Sequence, residues 1–151
     1  MSLERQKKIV YKTPAQTMEE EDRSPQHTFD LIVDGEKIGG AEVDYFSKPI
    51  PLYQLTDLYV DFEQKGNTYA SQLMEQVEAF LREKKKPGVL VEAIIEGDKA
   101  VGMYERRGWQ KVSSENLYVF NWPEDVPLTV LTGYPFRYTD LTERPSHRQM
   151  P

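Results

Sequence analysis

The stretch LYVDFEQKGNTYASQLM, residues 58–74, joins the end of an apolar strand to the start of an amphipathic helix through a short turn that contains glycine. Residues 53–60 predict a long strand, and residues 68–85 predict a helix that the segment KKKPG ends. The helix is predicted because apolar residues recur at helical spacing: Ala70, Leu73, Met74, Val77, Phe80 and Leu81. The N-terminus of a helix has free backbone N–H groups and a partial positive charge. The junction therefore predicts a site for an anion, and a diphosphate would fit it.

Other strands are predicted on both sides of this stretch. KKIVYK (residues 7–12) reads as a first strand, and residues 28–46 alternate apolar and polar residues around Asp34-Gly35, which predicts an antiparallel hairpin. VLVEAII (residues 89–95) is nearly continuous in apolar residues, as in an interior strand. A strand, a helix and a strand in one sheet imply a right-handed parallel crossover.

The C-terminal part predicts a second helix and further strands. Asp98 can cap a helix that continues through Arg107, Gly108 suits the left-handed residue that ends it, and Trp109 returns the chain to the core. Two short strands are then predicted over residues 116–122 and 127–132, followed by a flexible polar tail over residues 142–151. The sequence thus predicts one domain over residues 1–141, of the α+β class, with helices packed on a mixed sheet.

Composition excludes several functions. The chain has 151 residues, of which 38% are hydrophobic, and this suits one domain with one sizeable core. It has no cysteine, which excludes thiolate metal sites and a cysteine nucleophile, and only two histidines. A net charge of −6 and a pI near 5.0 argue against a general nucleic-acid binder. No stretch is apolar enough to span a membrane or act as a signal peptide, so we expect a cytoplasmic protein.

The quoted stretch resembles the GNAT acyltransferase superfamily. Members of that superfamily show Leu-Tyr-Val at the end of a strand, followed by an R/Q-x-x-G-x-G/A turn that opens a helix. Residues 58–60 match the strand end, and Lys65, Thr68 and Ala70 fall at the three positions of the turn. A second segment, residues 97–109, resembles N-x-x-A-x-x-x-Y-x-x-x-G-F. It matches at Ala100, Tyr104 and Gly108, with Trp109 for Phe and Gly97 for Asn. The resemblance covers roughly residues 29–132.

The resemblance implies a binding site for acetyl-CoA. In that fold the sheet splays at its centre, and the pantetheine arm lies in the gap like an extra strand. The turn would hold the diphosphate, with Lys65 as a point charge. Thr68 departs from the motif, because a β-branched residue stands where glycine often allows close approach; its hydroxyl could bind phosphate or only cap the helix. The implied cofactor-binding residues are Leu58, Tyr59, Val60, Lys65, Gly66, Asn67, Thr68, Tyr69, Ala70 and Ser71.

The resemblance also implies catalytic roles. Tyr104 holds the position from which members protonate the departing thiolate, although a tyrosine on a helix is often only a packing residue. A backbone amide near Tyr59 or Val60 could stabilise the oxyanion. The general base is open between Asp57 and Glu92. A carboxylate in an apolar strand is costly to bury, so Glu92 should face a cleft, water or a partner, and either residue could simply be exposed.

We therefore expect an N-acetyltransferase that moves an acetyl group from acetyl-CoA to an amine by direct attack in a ternary complex, without a metal. The alternatives are a non-catalytic module that binds CoA or a protein, favoured by the departures at Lys65, Thr68 and Gly97, and an unrelated α+β interaction domain. The first helical region is abbreviated to about fifteen polar residues, which leaves the amine acceptor unidentified. The acidic run Met18 to Asp22 could attract a cationic acceptor or be a solvated surface. No nucleic acid or membrane partner is expected, and a homodimer is possible.

Overall fold

A computed structural model describes residues 6–16, 26–61, 69–91, 104–112 and 117–136. These residues contain a sheet of seven strands in the order β1-β2-β3-β4-β5-β7-β6, in which only the β4–β5 pair is parallel. The predicted α+β class with a mixed sheet is confirmed. The strands are β1 Lys7–Lys12, β2 His27–Val33, β3 Glu36–Phe46, β4 Leu52–Val60, β5 Gly88–Val91, β6 Gln110–Lys111 and β7 Leu117–Phe120, and the long helix α1 is Tyr69–Lys84.

The predicted hairpin forms between β2 and β3. Val33 pairs with Glu36, so Asp34 and Gly35 alone make the turn. Both have positive φ angles, 51° and 80°. This is the backbone of a type I′ turn, whose twist matches the two strands, and it is the reason that Asp-Gly favours hairpins. The predicted first strand is also present as β1, which pairs with β2 along its whole length.

Helix α1 packs on one face of the sheet and forms the main core. Its apolar stripe includes Leu73, Met74, Val77 and Leu81, all buried. Because these residues recur every three or four positions, they share one side of the helix. They contact the inward residues of the strands, among them Leu31 and Leu55. The predicted helix and its buried side are confirmed, and so is the predicted parallel pairing of the strands on either side of it, β4 and β5.

A second, smaller core lies on the opposite face of the sheet. Leu52, Val89 and Val119 are covered there by the chain after β7, through Leu131 and Tyr134. The Tyr134 hydroxyl donates to the Ile50 carbonyl (2.7 Å) and accepts from the Ile50 N–H (2.8 Å). These contacts attach the C-terminal segment to the β3–β4 connection.

The predicted strand over residues 127–132 is wrong. Residues Leu128–Gly133 form a 3₁₀ helix that follows Pro127. Both edges of β7 are already paired, with β5 and β6, so a further strand has no place beside it. A 3₁₀ helix has three residues per turn, and it therefore brings Leu131 and Tyr134 to one side, over the second core. Of residues 127–132, only Leu131 is buried.

Several predictions fall partly outside the described residues. One helical turn is seen over residues 14–16, and the acidic run Met18 to Asp22 lies outside. The strand predicted to Ile95 is described to Val91, and the second helix only over residues 104–106. Gly108 has the expected positive φ, 96°, and Trp109 is buried as predicted. The tail over residues 142–151 also lies outside. In the part of the chain that is described, no helix is long and apolar enough to cross a membrane.

Candidate functional site

The site begins at a β-bulge in β4. Glu42 and Val43 are consecutive on β3, but their partners on β4 are Asp57 and Leu55, so Thr56 is an extra residue. The Thr56 hydroxyl donates to the Glu42 carbonyl at 3.2 Å. A bulge of this kind shifts which edge the following backbone groups face. The backbone N–H groups of residues 57–60 therefore alternate between the two edges of β4 in the opposite phase from those at the start of the strand.

Hydrogen bonds on either side of the bulge show the shift. The Tyr53 N–H donates to the Pro87 carbonyl on the β5 side (3.1 Å), whereas the Asp61 N–H donates to the Ile38 carbonyl on the β3 side (2.7 Å). Because successive N–H groups along a strand point to opposite edges, the N–H groups of Leu58 and Val60 point to the β5 side. The bulge thus gives β4 two donors on the edge away from β3.

Within the described residues, the β4–β5 ladder lies only before the bulge. It joins Tyr53–Leu55 to Gly88–Leu90, while β4 continues to Val60 and β5 to Val91. Across residues 6–16, 26–61, 69–91, 104–112 and 117–136, no strand pairs with Leu58 or Val60 on this edge. The edge can therefore accept an extended ligand by strand-like hydrogen bonding. The donors at Leu58 and Val60 would also face a carbonyl oxygen placed there.

The side chains of the Leu-Tyr-Val segment are committed to packing. Leu58 and Val60 are buried in the main core, under α1. Tyr59 lies on the other face, across Gly40, where an added Cβ would stand 3.2 Å from the phenol oxygen. Burial raises the pKa of the Tyr59 phenol, against the effect of the Lys37 cation and of a hydrogen bond with it. The three predicted cofactor-binding residues can therefore offer a ligand their backbone, but little of their side chains.

A charged network surrounds Tyr59 on the face opposite α1. Asp30 is buried and forms ion pairs with Lys12 (3.0 Å) and Lys37 (3.3 Å). Lys37 in turn bonds the Tyr59 hydroxyl. This network was not predicted from the sequence. The signal was the placement of Lys12, Asp30 and Lys37 on three neighbouring strands, where alternation puts them on the same face.

The predicted diphosphate turn is only partly described. Lys65, Gly66, Asn67 and Thr68 lie outside the described residues, as does Glu92. Helix α1 is described from Tyr69 onward, and the first turn of this described helix contains no acidic residue. Tyr69 is buried in the core, and Ala70 and Ser71 are half-buried. Within its described residues, the N-terminal turn of α1 therefore carries no carboxylate that would repel an anion from the positive pole of the helix.

The two described proton-transfer candidates lie on opposite faces of the sheet. Tyr104 belongs to the core on the α1 side, is 1% exposed, and packs edge to face against Tyr118 with ring centres 5.5 Å apart. Asp57 is two residues from Tyr59 along β4 and shares its face, where it is 7% exposed and opposite Glu42. The acid and the base predicted from the sequence thus lie on different sides of β4.

Glu78 is a buried carboxylate that was not predicted from the sequence. Both of its oxygens accept hydrogen bonds from Arg107, at 2.8 Å each, and one also accepts from the Trp109 indole at 2.8 Å. The signal was its position in the helix, four residues after Met74 and three before Leu81, on the apolar side. No group of three or more acidic or histidine side chains in the described ranges is arranged to hold a metal ion.

Comparison with known proteins identifies the family. A family model described as acetyltransferase (GNAT) family matches residues 2–109, which is more than half of the chain. The chain belongs to the GNAT acetyltransferase family. No curated protein matches it in sequence.

Solved structures share the fold at low sequence identity. A protein described as an acetyl transferase from Pyrococcus furiosus matches with a TM-score of 0.52 and 18% identity, over 61% of this chain and 64% of its own. AtaTR bound with AcCoA matches with a TM-score of 0.50 and 16% identity, over 63% of this chain and 66% of its own. The KacTA–DNA complex matches with a TM-score of 0.57 and 14% identity, over 76% of this chain and 92% of its own. The chain thus spans slightly less than two thirds of the first two structures. At these identities the likeness concerns the fold.

Proposed function

We propose that this protein transfers an acetyl group from acetyl-CoA to an amine. The observation that carries the proposal is the coincidence of three features at one end of β4. The bulge at Thr56 turns the N–H groups of Leu58 and Val60 to the β5 side, the β4–β5 ladder of the described residues lies before them, and the N-terminal end of α1 follows in the chain. These features support the proposal, because it requires an edge for pantetheine, donors for a thioester carbonyl and a positive pole for a diphosphate.

The reaction would proceed by direct attack. The acceptor amine adds to the thioester carbonyl carbon, and the oxyanion that forms is stabilised by a β4 backbone N–H, for which Val60 and Leu58 are the candidates. The carbon–sulfur bond then breaks, and the sulfur leaves as a thiolate that takes a proton from Tyr104. The amine gives up its proton to a carboxylate, either Asp57 or Glu92, directly or through water. The chain has no cysteine that could carry the acetyl group in between.

A second candidate function is a non-catalytic module that binds CoA on the same scaffold. The observation that favours it is the burial of Tyr104, whose ring is 1% exposed and packed against Tyr118. A hydroxyl in that position has to reach the sulfur from within the core. In this case the protein binds acetyl-CoA without releasing the thiol.

One experiment separates the two candidates. The protein is incubated with acetyl-CoA and a panel of amines that includes small amines, polyamines and peptides with a free N-terminus or lysine. Free thiol and acetylated amine are then measured together. Equal amounts of the two products, absent without protein, support transfer. Binding of acetyl-CoA without either product supports the non-catalytic module, and no binding contradicts both.

A further inference from the structure

Glu78 is a buried acidic residue on a helix side that is otherwise apolar. Its neighbours along that side, Met74 and Leu81, are 0% and 1% exposed, and Glu78 itself is 3% exposed. Burial of a carboxylate is costly unless it is paired and hydrogen-bonded. The contacts around Glu78 therefore have to offset the cost of burying its charge.

Three hydrogen bonds satisfy the Glu78 carboxylate, and all come from one short segment. Arg107 donates from Nε and Nη2 in the two-pronged geometry that suits a carboxylate, and the Trp109 indole donates a third bond. The hydrogen bond with Glu78 raises the pKa of the Arg107 guanidinium. Both donors follow Tyr104 closely in sequence.

Backbone hydrogen bonds connect the same segment to Tyr104. The Tyr104 carbonyl accepts from the Arg107 N–H and from the Trp109 N–H, each at 3.1 Å. Gly108 permits this tight return because its φ is 96°, a conformation that residues with a Cβ rarely adopt. Movement of Arg107 or Trp109 away from α1 would therefore move Tyr104 as well.

We propose that Glu78 is a positioning residue, which holds the turn that carries Tyr104 against α1. The inference rests on the proposed acetyl transfer, in which the N-terminus of α1 binds the diphosphate and Tyr104 protonates the thiolate. Glu78 then fixes the distance between the bound coenzyme and its proton donor. Stability alone does not require such a residue, since apolar replacements of a buried ion pair are often neutral for stability.

Glu78→Gln is the variant that tests this role. The amide keeps the size of the side chain but replaces one acceptor oxygen with an NH₂ donor, which then faces the donors of Arg107. Glu83→Gln is the matched control, because Glu83 lies on the same helix, near its C-terminal end, and is exposed. We expect Glu78→Gln to lower kcat about tenfold or more, and to change the affinity for acetyl-CoA by less than about twofold, because misplacing a reacting group costs rate rather than ground-state binding. Glu83→Gln should change neither.

Hydrogen exchange gives a second readout that does not depend on activity. In Glu78→Gln the amides of Arg107 and Trp109 should exchange faster, while those in the middle of α1 should not. Unchanged kcat in Glu78→Gln, measured well below its melting temperature and with an active parent, would overturn the inference and leave the proposed function intact. Unchanged exchange would overturn it as well. A parent protein that binds acetyl-CoA but acetylates no amine would contradict the proposed function, and with it any catalytic role for this contact.

Discussion

Tyr104 is the side chain on which the proposed chemistry depends most. The proposed mechanism uses the Tyr104 hydroxyl as the donor of the proton that the departing thiolate takes. The ring also contributes to packing, since it belongs to the core cluster with Leu73 and Trp109. Replacement by phenylalanine removes the proton donor and keeps the ring. The two roles of Tyr104 can therefore be separated by experiment.

We expect Tyr104→Phe to lower kcat roughly 10²-fold, within the usual range for loss of a positioned general acid. Acetyl-CoA affinity should stay within a few-fold. Tyr118→Phe is the control, since it removes the other hydroxyl of the same buried ring pair. Steady-state kinetics on the first acceptor that proves active would measure both variants. An unchanged kcat, with the chemical step shown to be rate-limiting, would make Tyr104 a packing residue only.

Sequence analysis could name single residues but not their partners. Tyr104, Gly108 and Trp109 followed from a motif, and the structure shows the left-handed Gly108 and the buried Trp109. Glu78 could not be given a role in the same way. Its partner Arg107 lies 29 residues away in sequence, and only the folded chain brings the two together.

At the scale of elements, the bulge in β4 is the feature that sequence could not predict. Strand β4 was expected from its composition, and residues 52–60 do form one strand. The extra residue, Thr56, has nothing in its type that marks a bulge. It becomes evident only from the register with β3, where Leu55 and Asp57 face consecutive residues. Register depends on the partner strand, so one strand's sequence does not determine it.

The turn that joins β4 to α1 gives a prediction about binding. The double variant Lys65→Glu, Gly66→Pro places a negative charge and a rigid residue where the diphosphate is expected. Acetyl-CoA at 100 times its Kd should stabilise the parent by about 2.7 kcal/mol, which a thermal melt shows as a rise in Tm. The double variant should lose this rise and still fold.

Lys8→Glu is the control for that experiment, because it makes the same charge change on an exposed position of β1. It should keep the full rise in Tm. If the double variant binds acetyl-CoA as well as the parent does, the diphosphate site has been assigned to the wrong turn. If it fails to fold without ligand, the single variant Lys65→Glu provides the comparison.

At the scale of the whole molecule, elements that have a local signal in the sequence could be predicted, and elements that depend on distant contacts could not. The hairpin, the long helix and the parallel pair were all expected, because each leaves a local signal in the sequence. The 3₁₀ helix after Pro127 was not, because its backbone is set by the lack of a free edge beside β7. Its role in covering the second core depends on contacts with Leu52 and Val89, which are distant in sequence.

The C-terminal end of the chain offers a test of this division. We expect a protein that ends at residue 141 to keep its Tm within about 2 °C of the parent, because the segment beyond is polar and contains proline. A protein that ends at Gly133 should lose much more, since it lacks Tyr134 and the two hydrogen bonds to Ile50. Precipitation of the protein that ends at residue 141, or a large fall in its Tm, would show that residues 142–151 cover part of the core.

The central claim is that acetyl-CoA lies along the edge of β4 that the bulge exposes. A crystal structure of the protein with acetyl-CoA tests it most directly. The account predicts the thioester carbonyl oxygen about 2.9 Å from the N–H nitrogen of Val60 or Leu58, and the diphosphate at residues 65–71. Acetyl-CoA bound elsewhere, or bound with neither backbone group near its carbonyl, would contradict it.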